Sequence, residues 1–180
     1  MKLRWSHCVL YVRDLGAMID FYRDVLGFQV SDRGPVDPAR PDGIQVAFLS
    51  QVGSDHHQIA FAPLRGEGPS TTLDHIAFRV DALGEVKTLA RRLAEDGRAS
   101  EISPVSHGNA WSVYFRDPEG NRLEVFTDSP FHVRQPQLHP LDLSMSDDEI
   151  RRATEERFGS EPGFMPMEEF SAAHHRRHHD

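Results

Sequence analysis

The chain of 180 residues is long enough for one buried core, or for two small modules that share one. Its formal net charge of −8 argues against a nucleic-acid-binding protein, which usually carries a basic patch, and it has neither an apolar run long enough to span a membrane nor an apolar leader. A single cysteine, Cys8, excludes an internal disulfide and a multi-cysteine zinc site. These features predict a soluble, cytoplasmic protein.

Residues 1–66 predict a module of βαβββ order. A strand beginning at His7 is followed by apolar residues at helical spacing, with Asp14 as the N-cap and Gly27 as the stop signal. Three strand-like runs follow, over residues 28–32, 44–49 and 56–61.

Residues 67–130 predict a second module of the same order. A strand beginning at His75 precedes a helical pattern that starts after Asp81 and stops at Gly97. Strand-like runs follow over residues 99–103, 111–116 and 122–126, and the turn sequence DPEGN at residues 117–121 predicts a hairpin between the last two.

The two modules form an internal repeat. His7 and His75 are 68 residues apart, and His57 and Glu124 are 67 residues apart, each pair near corresponding ends of the modules. A pseudo-twofold arrangement would bring these four positions together. The pattern predicts an α+β fold.

Residues 131–180 do not repeat and are predicted to be a C-terminal extension. Ser146 and Glu149 form a capping box that opens one helix through about residue 158. The histidine-rich end, residues 174–180, is predicted to be a disordered tail, and its histidines are not predicted to bind metal because no scaffold there fixes a ligand geometry.

His7, His75 and Glu124 are the candidate metal ligands. Two imidazoles and one carboxylate on one face of an octahedron leave open positions for substrate and dioxygen, which is the ligand set of non-haem Fe(II) oxygenases. A single histidine at a strand end is more often an ordinary hydrogen-bonded residue, but two histidines and a glutamate at repeat-matched strand positions favour a metal site.

The residues that carry this pattern also resemble a known family. The runs DHIAF at 74–78 and YFRDPEGNRLEVF at 114–126, together with His7, resemble the vicinal oxygen chelate superfamily over about residues 3–130. Within it, the chain is similar to the type I extradiol ring-cleaving dioxygenases. The resemblance implies that the paired modules form one open mixed β-barrel around Fe(II), with Mn(II) suited to the same ligands. The implied substrates are a small aromatic diol and dioxygen.

Three further residues match roles in those dioxygenases. The resemblance implies that His57 is an uncoordinated histidine acting on the diol hydroxyl, with neighbouring His56 as the other candidate. It also implies that His107 contacts the substrate and that Tyr114 hydrogen-bonds a diol oxygen. Each could instead be an ordinary loop or barrel residue.

Two other functions use the same fold. A glyoxalase-like isomerase or lyase would have a carboxylate as a fourth ligand where we place His57, and a drug-binding resistance protein would need no metal triad. Because larger members of the family carry four modules, this two-module chain is expected to form a homodimer or a higher homo-oligomer.

Overall fold

The computed structural model describes residues 5–35, 39–67 and 73–177, with side chains up to residue 172. The helices and strands, in chain order, are β1 (Cys8–Tyr11), α1 (Leu15–Asp24), β2 (Gln29–Pro35), β3 (Gln45–Ser50), β4 (Ile59–Ala62), β5 (Ile76–Arg79), α2 (Leu83–Asp96), β6 (Ser100–Ser106), β7 (Ala110–Arg116), β8 (Arg122–Asp128), β9 (Phe131–His132), β10 (His139–Pro140), α3 (Asp147–Phe158), β11 (Met165–Pro166) and α4 (Met167–Arg177).

The chain divides into two compact units. Unit 1 comprises Met1–Leu73 and the turn Asp117–Asn121, and unit 2 comprises Asp74–Arg116 and Arg122–Asp180. In unit 1 the strand order is β1-β4-β3-β2, with β1 parallel to β4 and the other pairs antiparallel. Helix α1 packs on β2, β3 and β4 and buries Met18, Phe21 and Tyr22.

Unit 2 repeats this order and adds one strand. Its sheet runs β10-β6-β7-β8-β5, with β5 parallel to β8 and the other pairs antiparallel. Helix α2 packs on β6, β7 and β8. Since side chains alternate along a strand, Val113 and Phe115 lie on one face of β7, and Ser112 and Tyr114 lie on the other. The face that carries Ser112 and Tyr114 is the polar face of this sheet.

The predicted α+β class with mixed sheets is confirmed, and the sheets, as far as the structure describes them, are not closed into a barrel. Within the described residues, the strands form separate sheets of four and five strands and a two-stranded ribbon, β11-β9. In the parts of the chain that the structure describes, no helix is long and apolar enough to cross a membrane.

The helix ends are mostly those predicted. Asp14 accepts a hydrogen bond from the Ala17 amide at the start of α1, and Ser146 and Glu149 cap α3 reciprocally. Helix α2 starts one residue later than predicted, with Ala82 in place of Asp81 as the N-cap. No side chain caps the start of α2; instead, the Glu85 carboxylate reaches back and accepts from the amides of Asp81 and Ala82.

The extension contains two helices where the sequence predicted one. Helix α4 covers residues 174–177 of the predicted disordered tail, and residues 178–180 lie outside the described part. Two acidic residues, Glu168 and Glu169, lie in its first turn, where they favour helix formation. The Phe170 ring stacks on His132 with a centroid distance of 3.6 Å. This packing helps to stabilise a helix that the weak local sequence pattern does not predict.

The turn Asp117–Asn121 is held inside unit 1 by a buried carboxylate. Asp117 accepts hydrogen bonds from the Tyr22 hydroxyl at 3.2 Å, from the amides of Glu119 and Asn121 at 3.0 and 2.9 Å, and from the Asn121 side chain at 2.8 Å. Burial raises the pKa of Asp117, and these hydrogen bonds oppose the shift. The Glu119 carboxylate also accepts from the Arg13 and Asp14 amides.

Replacing Asp117 with Ala should destabilise the protein strongly. The change leaves the fully buried Tyr22 hydroxyl and the turn amides without their hydrogen-bond acceptor, and an unsatisfied buried donor costs about 1–3 kcal/mol. We expect the free energy of unfolding, measured by urea denaturation, to fall by about 3 kcal/mol. Tyr22→Phe is the control, because it removes the donor itself and should cost about 1 kcal/mol. Equal losses in the two variants would contradict this account of the turn.

Candidate functional site

Glu124 lies at the centre of the polar face of the unit 2 sheet. It is 7% exposed, and on β8 it pairs in register with Tyr114 of β7 on one side and Ala77 of β5 on the other. Its Oε2 lies 3.3 Å from Nε2 of His75, the residue that immediately precedes β5. The parallel pairing of β5 and β8 therefore brings together two of the three predicted ligands.

The orientation of the His75 ring is set by its neighbour in the chain. The Nδ1–H of His75 donates to Oδ1 of Asp74 at 2.6 Å, which leaves Nε2 as the unprotonated nitrogen of the neutral ring. Oδ1 of Asp74 also accepts from Arg122 at 3.0 Å. A carboxylate behind a histidine in this way is typical of metal-binding histidines, because it fixes the tautomer and makes the ring a better ligand.

The pair of His75 and Glu124 fits a divalent metal. Adjacent ligands about 2.1 Å from an octahedral metal lie about 3 Å apart, close to the 3.3 Å between Nε2 and Oε2. In the neutral tautomer both atoms carry lone pairs that face each other without a proton between them. A cation, or a second proton on the ring, would satisfy both atoms, and a nitrogen and carboxylate donor set suits Fe(II), Mn(II) or Zn(II).

The second oxygen of Glu124 has its own partners. Oε1 accepts from the buried Ser112 hydroxyl at 2.6 Å and lies 3.6 Å from Nε2 of His107. Burial works to raise the pKa of Glu124, but His107, Ser112 and Tyr114 outweigh burial and hold the pKa below its ordinary value. Glu124 is thus kept as a carboxylate with Oε2 directed at His75.

His107 and Tyr114, two of the predicted site residues, lie together beside Glu124. Nε2 of His107 is 3.1 Å from the Tyr114 hydroxyl, and the Tyr114 ring lies 5.5 Å from the His75 ring. The Glu124 carboxylate raises the pKa of His107, burial opposes the shift, and the Gln137 carbonyl adds to it. Burial, together with the Glu124 carboxylate, raises the pKa of Tyr114 well above its ordinary value, so its hydroxyl is a donor.

The extension holds the loop that carries His107. The Nδ1–H of His107 donates to the Gln137 carbonyl at 2.5 Å, and the Gln135 side chain donates to the His107 carbonyl at 2.8 Å. Gly108, next in the chain, has a φ of +75°, and a Cβ added there would overlap Val133 and crowd Phe158. Residues after 130 therefore fix both the tautomer and the backbone of His107.

In unit 1, the predicted residues His7 and His57 meet. Their ring centroids are 4.3 Å apart, His7 is exposed and its Nδ1 lies 3.1 Å from the Ser6 hydroxyl. Partial burial, followed by the neighbouring His7 and His56, lowers the pKa of His57. His56 is exposed and lies 3.7 Å from the Asp32 carboxylate. The structure thus pairs His57, rather than His56, with the predicted ligand.

The predicted strand over residues 56–61 is too long, because His56 and His57 lie before it and not in it. Strand β4 begins at Ile59, and the residues before it form a turn in which Gln58 binds Gln51 and Leu49. The strand registers also correct the repeat. Val9 pairs with Ala60 in unit 1 and Ala77 pairs with Glu124 in unit 2. Since Val9 and Ala77 keep the 68-residue offset of His7 and His75, the counterpart of Glu124 is Ala60 and not His57.

Sequence reasoning missed Asp74, Ser112 and Gln137. Asp74 stands beside a predicted ligand, and strand alternation from Tyr114 points to Ser112, so both had a signal in the sequence. Gln137 had none, because it acts through its backbone carbonyl. Among the residues that the structure describes, no group of three or more His, Cys, Asp or Glu side chains is arranged so that it could hold a metal ion.

Comparisons with known proteins agree with the resemblance. The chain is 34% identical over 132 residues to biphenyl-2,3-diol 1,2-dioxygenase 3 of Rhodococcus globerulus, a match covering 70% of this chain and 64% of that protein. It is 29% identical over 134 residues to metapyrocatechase of Pseudomonas sp. (strain CF600), a match covering 73% of this chain and 41% of that protein. The chain therefore spans less than two thirds of the length of either relative.

A solved structure and a family model also place the chain in the group of proteins that the resemblance indicated. A glyoxylase/bleomycin resistance protein/dioxygenase domain from Frankia sp. EAN1pec is 25% identical, with a TM-score of 0.59 and coverage of 71% of this chain and 99% of that one. Residues 4–125 match the model of one superfamily. The chain belongs to the Glyoxalase/Bleomycin resistance protein/Dioxygenase superfamily.

Proposed function

We propose that the protein is an Fe(II)-dependent extradiol dioxygenase that opens a catechol-type ring with dioxygen. The observation that carries the proposal is the contact of His75 with Glu124, flanked by Tyr114 and His107. His7, His75 and Glu124 are the proposed ligands. When bound, Fe(II) supplies the redox chemistry that joins dioxygen to the diol, and Mn(II) suits the same donors.

Three further residues are proposed to act on the diol. The Tyr114 hydroxyl, kept protonated, can donate to a diol oxygen beside Glu124. His107 is oriented through Nδ1, so its Nε2 is free to exchange its Tyr114 contact for one with substrate. His57, next to His7, is proposed to accept a proton from the diol hydroxyl as a general base.

The first of the two alternative functions can be weighed against one residue of unit 1. A glyoxalase-like isomerase or lyase would need a carboxylate from the first module as a fourth ligand. The position equivalent to Glu124 is Ala60, which is 3% exposed and has no donor atom. This residue favours a three-ligand site, which leaves positions for a diol and dioxygen.

Oxygen uptake with simple diols tests the proposal. Protein loaded anaerobically with Fe(II) and given catechol or 2,3-dihydroxybiphenyl should consume one dioxygen per diol on exposure to air and form a yellow ring-opened product. Metal-free protein should do neither. Metal binding without reaction across a panel of substituted catechols would overturn the proposal. The predicted self-association can be measured by light scattering on the same preparation.

A further inference from the structure

A polar cavity of about 270 Å³ lies beside Tyr114 in unit 2. Its lining includes Arg116 and Arg122, with Glu101 and Ser103 on the opposite strand. The Arg122 guanidinium lies over the Tyr114 ring, 4.5 Å from its centroid. The cavity therefore begins at the residue proposed to bind the diol.

The cavity lies on the same face of the sheet as Glu124. Tyr114 pairs with Glu124 and Arg116 pairs with Arg122, so these four side chains share one face. Ser103 pairs with Tyr114 from the other side. A diol ring placed against Glu124 and Tyr114 would direct a substituent along β7 toward the two arginines.

The charge of the lining favours an anion. It contains two guanidinium groups and one carboxylate, that of Glu101. The arginines already have partners: Arg116 binds Glu101 at 2.7 Å and Arg122 binds Asp74 at 3.0 Å. Both partners are highly exposed, at 68% and 73%, and such pairs are weak because water screens them. A ligand carboxylate can therefore replace either one.

The backbone at Glu101 gives a second indication. Glu101 has a φ of +51°, the only non-glycine residue with a positive φ among those described, and it lies where the register of β6 and β7 shifts between Ser100 and Ser103. Such strain costs of order 1–3 kcal/mol and concentrates at functional sites. Here it places a carboxylate on Arg116, the position that a ligand carboxylate would take.

We propose that this cavity binds a carboxylate carried by the substrate, so that the preferred diols are carboxylated catechols. The inference rests on the proposed function and names its substrate class. Arginine suits this role because its planar group can bind both oxygens of a carboxylate. An apolar substituent such as a phenyl ring would remove water from the charged groups without replacing their hydrogen bonds.

Steady-state kinetics test whether the cavity binds a carboxylate. The quantity to measure is the kcat/KM for 3,4-dihydroxybenzoate or 3,4-dihydroxyphenylacetate, divided by the kcat/KM for catechol. We expect the better carboxylated diol to exceed catechol at least tenfold in the Fe(II)-loaded protein, and Arg116→Gln to lower that ratio about tenfold, the value of one 1.4 kcal/mol interaction. Arg79→Gln is the matched control, since Arg79 is also an exposed, ion-paired arginine of this sheet but does not line the cavity. Its ratio should not change.

Binding without turnover separates this inference from the proposed function. Calorimetric titration of the anaerobic, metal-loaded protein should give tighter binding of the carboxylated diol than of catechol, with the difference lost in Arg116→Gln. If this holds while no diol is oxidised, the carboxylate site stands and the dioxygenase proposal fails. If catechol and 2,3-dihydroxybiphenyl react or bind as well as the carboxylated diols, the carboxylate site is refuted.

Discussion

Glu124→Gln should abolish metal binding and, with it, ring cleavage. Glutamine keeps an oxygen that accepts from Ser112 but loses the negative charge that faces Nε2 of His75. Replacement of groups behind a metal ligand costs about 10–100-fold in affinity, so loss of a charged ligand itself should cost more than about 100-fold. Titration with Fe(II) or Co(II), followed by metal content after gel filtration, measures the loss.

A nearby carboxylate provides the control for Glu124. Asp128 lies on the same strand, β8, but is exposed and paired with Arg79. Asp128→Asn should bind metal with the affinity of the wild type, and thermal melting should show that both variants are folded. Wild-type affinity in Glu124→Gln would show that Glu124 is not a ligand and would also remove the basis for the proposed triad.

His57→Ala should retain metal and lose most of its turnover. If His57 takes a proton from the diol, its removal should lower kcat by about 10²–10⁴, the usual contribution of a general base. Metal content should match the wild type, because His57 contacts His7 through ring packing and is not among the proposed ligands. Steady-state oxygen uptake and iron content, measured on one preparation, test both expectations.

His56→Ala decides between the two neighbouring histidines. His56 is exposed, and its Nε2 lies 3.7 Å from the Asp32 carboxylate. Its loss should therefore change kcat by less than about twofold if His57 is the base. The opposite result, with His56→Ala inactive and His57→Ala active, would reverse the assignment. Loss of metal from His57→Ala would instead identify His57 as a ligand.

The sequence predicted what depends on local chemistry. Asp14, Ser146 and Glu149 were recognised as caps because their hydrogen bonds are formed with residues three positions away. The pairing of β7 with β8 followed from the turn between them. His75 and Glu124 were proposed together from their places in the repeat, and the parallel pairing of β5 with β8 brings them close.

The features that the sequence did not predict depend on contacts between distant residues. The start of β4 is set by Gln58, whose side chain binds the Gln51 amide across a turn, so a strand pattern read from His56 was too long. The match of His57 to Glu124 failed because the two modules differ in the length between their first and last strands. Helix α4 was missed because its support includes the ring of His132, distant in sequence.

The contacts around Gly108 have a consequence for transplanting this site. The superfamily match ends at residue 125, yet Val133, Gln135 and Gln137 are the residues that hold the His107 loop. Trp111 on β7 also donates to Thr154 of α3 at 2.9 Å. A chimaera or a designed protein that borrowed only the shared module would inherit His107 without the parts that immobilise it. The transferable unit runs through Phe158, about thirty residues beyond the family boundary.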